Sequence, residues 1–171
     1  MGEVDVYNLP ERPNLFLNGI VGGVIAGIVF AMAEMIMNVL ILGAPFFGPL
    51  RLISSIVLGT QALQPSYPLA TALIVGVIVH MILSSIYGVV FVYLLSWLRQ
   101  SNAAVILQLI YGAIYGLALW VLDFLVIAPT LFPQFTNVNQ FWNGFVAHTF
   151  FFGLVLGLYV AIVYHRRELE G

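Results

Sequence analysis

The chain contains no cysteine and no lysine among its 171 residues, and charged side chains make up only 7% of it. The missing cysteine excludes disulfides, thiolate metal ligands and thiol chemistry. The scarcity of charge excludes a water-covered globule, because soluble domains carry about a quarter charged residues. No basic cluster exists beyond His165-Arg166-Arg167 and the net charge is -2, which gives no support for a nucleic-acid partner. The chain also lacks a P-loop, a Ser-His-Asp set, a His-Glu-x-x-His helix and a glycosylation sequon, so it is not expected to be an enzyme.

What is present is apolar: 62% of the residues are hydrophobic. A spanning helix needs about 20 apolar residues, and four runs meet that length, about 15–42, 69–98, 103–128 and 139–164. The expected fold is an all-α integral membrane bundle of four transmembrane helices over 15–164, flanked by a polar segment 1–14 and a tail 165–171. Pro and Gly punctuate the connections, as in "GAPFFGP", "QPSYP" and "APTLFPQ". The segment 49–63 is apolar but too short to cross, and reads as an interfacial or re-entrant helix. The stretch "MGEVDVYNLPERPN" lacks the basic start of a cleaved signal, so the first apolar run is expected to stay in the membrane. Arg12, Arg99, Arg166 and Arg167 fall on the side of the termini and Arg51 on the other. The positive-inside rule then places both termini in the cytoplasm or its topological equivalent; the expected location is a prokaryotic inner membrane.

Two halves of the chain share a pattern. Gly23, Gly27 and Glu34 in the first span recur as Gly112, Gly116 and Asp123 in the third, at identical spacing. Gly76 and His80 in the second span recur as Gly144 and His148 in the fourth. This predicts two tandem helical hairpins related by a pseudo-two-fold along the membrane normal. Residues seven and eleven apart share a helix face, so the small residues permit close packing while the acids point into the bundle. On 1.5 Å of rise per residue, Glu34, Asp123, His148 and His80 lie roughly 12, 8, 13 and 16 Å from the outer helix ends. They are expected to form one polar cluster in the outer half.

A charged group at the centre of a spanning helix costs roughly 2.5–3.5 kcal/mol on insertion scales, so pairing is expected. The simplest role for Glu34, His80, Asp123 and His148 is a set of acid–imidazole bonds that fix helix order. A second role is cofactor binding: His80 and His148, on different helices at similar depth, are placed as axial ligands of a b-type haem or as ligands of a chlorophyll-type pigment. A third is a proton- or ion-coupled small carrier using Glu34 and Asp123. No metal site is expected, because the Glu-x-x-His spacing of di-iron bundles is absent.

The segments "NGIVGGVIAGIVFAMAEMI", "VHMILSSIYGVVFVYLL" and "YGLALWVLD…AHTFFFGLVLGLY" resemble those of small four-helix bacterial and archaeal membrane proteins with a Gly-rich first helix and a His in the second and fourth. The resemblance implies the fold and the duplication, and no activity or ligand. With so little chain outside the bilayer, the expected partners are other integral membrane subunits and lipid. The leading functional expectation is an accessory or scaffolding subunit of a larger complex, of respiratory or photosynthetic electron transfer.

Overall fold

The computed structural model describes residues 14–100, 103–136 and 138–170. The N-terminal segment to residue 13, and the side chains of the tail from residue 165, lie outside the described residues. Four helices are long and apolar enough to cross a membrane. Helix α1 spans Leu15–Leu40, α3 Leu69–Trp97 and α4 Val105–Leu131. Helix α5 is continuous through three pieces, Val138–Val146, Ala147–Gly153 and Leu154–Glu170. Between α1 and α3 lies the short α2, Gly48–Leu58. At 1.5 Å per residue each long helix exceeds the roughly 30 Å of a bilayer core, whereas α2 reaches only about 16 Å.

Helix boundaries follow local chemistry. Asn14 caps α1 by accepting the Leu17 N–H at 3.0 Å. The apolar run continues to residue 42, but α1 stops at Leu40 because Gly43 turns left-handed (φ 60) and the Ala44 N–H returns to the Asn38 carbonyl. The Asn38 side chain donates to the Pro45 carbonyl at 2.6 Å and pins this turn. Helix α3 ends in a Schellman arrangement: Gln100 N–H meets Leu95 O and Arg99 N–H meets Ser96 O, with Arg99 itself left-handed. Helix α4 starts two residues later than expected and runs two residues past Pro129, which the sequence pattern treats as a stop. Thr130 Oγ1 donates back to the Val126 and Ile127 carbonyls at 2.7 and 3.1 Å, the local bond that threonine makes within a helix.

Glycine sets which helices touch. Gly19, Gly23 and Gly27 of α1 lie against Val89, Ser84 and Gly88 of α3, so closely that an added Cβ would meet backbone or the Ser84 side chain. Gly112 and Gly116 of α4 lie in the same way against Gly153, Gly157 and the His148 carbonyl of α5. Helix α1 also packs on α5 through Gly22, which faces Tyr159 and Leu156. Helices α3 and α4 approach through side chains: the rings of Phe91 and Tyr115 stand 5.0 Å apart. The half of the bundle nearer the termini is solid, with Phe91, Leu95, Leu119, Leu156 and Val160 buried together. The outward faces stay apolar and exposed, as at Ile74, Ile106 and Leu125, which suits contact with hydrocarbon rather than water.

Candidate functional site

The other half, toward the loops, encloses a cavity of about 400 Å³. Each helix contributes one face, read from residues three or four apart. From α1 come Phe30, Glu34 and Asn38; from α3, His80, Ser84 and Tyr87. From α4 come Asp123 and Ile127, and from α5 Gln140, Gly144 and His148. Leu52 and Ile56 of α2, with Phe132 and Phe135 after α4, close the loop end. Gln134 donates to Ser55 Oγ at 3.0 Å and ties these two connections together. The neighbouring connection is held by Arg51, whose guanidinium donates to the carbonyls of Ala62, Gln64 and Tyr67 at 3.3, 2.7 and 3.0 Å.

The four ionisable residues named from the sequence all line this one cavity, but they do not pair as two acid–imidazole bonds. His148 and Asp123 do meet, Nε2 to Oδ2 at 3.3 Å. His148 Nδ1 stands 2.8 Å from the Gly144 carbonyl, an acceptor only, so Nδ1 carries a hydrogen. Nε2 and Oδ2 therefore face each other across one proton, held as imidazolium–carboxylate or as imidazole–carboxylic acid. The other carboxylate oxygen accepts from Tyr87 Oη at 2.9 Å, and Tyr115 Oη donates to the Tyr87 carbonyl at 2.8 Å. Among the described residues, His80 meets no acid. Its Nε2–H donates across the helix pair to the Gly27 carbonyl at 2.8 Å.

Glu34 departs from the rule that buried polar atoms are paired. Its Oε1 is buried and has no hydrogen-bond partner among the described residues. The same holds for Oε1 of Gln140, on the same cavity wall.

Helix geometry distinguishes the two acid–histidine sets. Glu34 and His80 sit on regular α-helix, while Asp123 and His148 lie on wide π turns, Leu122–Ile127 and Ala147–Gly153. A π turn inserts a residue into a helix and re-aims the side chains beside it, and such turns recur at functional sites. Trp120 Nε1 donates to the Phe141 carbonyl at 2.9 Å and clamps α4 to α5 next to them.

The residues do not fit a macrocycle held between His80 and His148. The Phe30 ring lies against both imidazoles, with centroids 5.3 and 4.8 Å away. Both Nε2 atoms are already engaged. The space beside Gly76 is filled by the Leu50 backbone of α2 and that beside Gly144 by the Phe124 ring. Among the described residues no three His, Asp or Glu side chains converge at metal-binding spacing.

The sequence patterns passed over Phe30, Tyr87 and Gln140. Each stands one or two turns from a named residue on its own face: Phe30 four before Glu34, Tyr87 seven after His80, Gln140 eight before His148. Extending each stripe by up to two turns in both directions finds them. Fold and site together define a helical bundle of membrane-spanning type with a recess in one half, lined by acids, histidines and aromatic rings. No known protein family, curated protein or solved structure matches the chain.

Proposed function

We propose that the protein is a membrane-embedded binding protein that takes a small, largely apolar molecule with a polar end into the cavity between its helices. One observation carries this reading: an apolar cavity of about 400 Å³ gathers four ionisable side chains, and one carboxylate oxygen in it is buried without a partner. Ligand sites have this character, mostly apolar walls with a few convergent polar groups, and volumes of roughly 300–1,000 Å³. The core below Tyr87 supports binding over conduction, since Phe91, Leu95 and Leu119 are buried together beneath the cavity, and the acids and histidines of the spans lie above them. A carrier using Glu34 and Asp123 would have to open that core.

The accessory-subunit reading, with electron-transfer complexes as partners, rests on small size, abundant aromatics, little chain outside the apolar runs and the absence of enzyme motifs. It adds no residue to the site. The arginine distribution supports cytoplasmic termini in a prokaryotic inner membrane, and the length and apolar character of α2 support an interfacial helix. A tandem duplication is supported by matched contacts: Gly23 meets Gly88 as Gly112 meets Gly157, and Gly27 meets Ser84 as Gly116 meets Gly153. The contact positions in α5 fall one residue later than the His80-to-His148 spacing implies. The π turn at Ala147–Gly153 accounts for that extra residue.

Saturation-transfer NMR with the full chain in lipid nanodiscs tests the binding reading, using 1-naphthylmethanol as probe. Two variants fill the cavity, Ala128→Phe and Leu83→Trp, and correct for partition into lipid. A signal from the unmodified protein above that of both filled variants is expected. Equal signals from all three would remove the cavity as a binding site.

A further inference from the structure

We infer that the cavity's ligand is an organic cation, a protonated primary or secondary amine on a compact apolar body. This rests on the binding reading above and adds the chemical class of the ligand.

The charged groups of the walls set the hydrogen-bonding demand. Three donors are spent within the protein: His80 Nε2–H on Gly27, His148 Nδ1–H on Gly144, and Tyr87 Oη–H on Asp123. Ser84, Gln140 and Asn143 add neutral hydroxyl and amide groups that both donate and accept, so the one acid with a buried oxygen left open is Glu34, at Oε1. A ligand that completes Glu34 must bring N–H or O–H groups. A quaternary ammonium ion brings none, whereas a protonated amine brings two or three.

Charge points the same way. No lysine exists in the chain, and no arginine lines the cavity. Arg51, the arginine nearest in the loops, spends its donors on three carbonyls. An anion entering the cavity would find no cation other than His148, and Asp123 already faces that imidazole. Glu34 is the acid left over. A carboxylate withdrawn from water without a counter-charge is costly, and a bound ammonium removes that cost. The walls suit the rest of such a molecule: Phe30, Phe124, Phe132 and Phe135 surround the space with ring faces and edges. Aromatic faces attract ammonium groups most strongly when water is excluded.

The test compares three probes of one shape and different charge at neutral pH: 1-naphthylmethylamine, 1-naphthylmethanol and 1-naphthoate. Each is titrated onto the full chain in neutral-lipid nanodiscs, with Ala128→Phe subtracted. The amine is expected to bind at least about tenfold tighter than the alcohol, with the naphthoate weakest. Glu34→Gln should bring the amine down to the alcohol's affinity. If the Gln variant fails to fold, the amine-to-alcohol ratio in the unmodified protein decides alone. Equal affinity of amine and alcohol, or tightest binding of the naphthoate, overturns the cation and leaves the binding reading intact. No cavity-dependent signal from any probe overturns both.

Discussion

His148 Nε2 stands 3.3 Å from Asp123 Oδ2, and each residue sits on a π turn of its own helix. The separation exceeds the 2.7–2.9 Å of a tight charge-assisted bond, and Tyr87 and the Gly144 carbonyl complete the chain on either side. The two residues should behave as a unit. In a double-mutant cycle with Asp123→Asn and His148→Ala, thermal unfolding in mild detergent should give a coupling of about 0.5–3 kcal/mol. Additive losses would show that the 3.3 Å contact does not bind α4 to α5.

The glycines divide by what faces them. At Gly116 an added methyl meets the His148 carbonyl and the Gly153 backbone, neither of which moves without separating the helices. At Gly144 it meets the rim of the Phe124 ring, which borders the cavity. Overpacking costs roughly 1–3 kcal/mol, and Gly116→Ala should sit at or above the top of that range, with Gly144→Ala near the bottom. Equal losses in unfolding temperature would contradict this division.

Arg99 adopts the left-handed conformation at the end of α3 (φ 57) without a glycine's freedom. A residue with a Cβ pays roughly 1–2 kcal/mol there. Arg99→Gly should therefore stabilise the protein by about 1 kcal/mol, although it removes a charge. A drop in unfolding temperature would mean that the guanidinium outweighs the backbone strain.

Arg51 holds the connection between α2 and α3 through three carbonyls on residues 62–67. Lysine keeps the charge but cannot reproduce a planar fork. Hydrogen exchange in Arg51→Lys should quicken over residues 59–68 and stay unchanged in the cores of α1 and α5. Unaltered exchange in the loop would show that the charge alone holds it.

The four apolar helices are legible in the sequence because length and hydropathy decide them, and almost nothing competes inside a bilayer. Their ends are less legible. Leu40 ends α1 through a left-handed glycine and an asparagine bond, and α4 continues past Pro129 to Leu131. The site is legible as a set of residues, since ionisable groups in apolar runs are rare enough to stand out. Their pairing is not, because it depends on helix phase. The π turns at Asp123 and His148 rotate one acid–histidine set into contact, while regular α-helix leaves His80 bonded to Gly27 and Glu34 unpartnered. No residue type marks a π turn in advance.

The solid half of the bundle makes the recess a dead end. On the binding reading proposed above, a molecule that enters leaves the way it came, and occupancy follows the concentration on one side. A protein working in that way would report or hold one compartment's content without spending the membrane's gradients. The seal is made by Phe91, Leu95 and Leu119, where a single small residue would begin to turn a cup into a pipe.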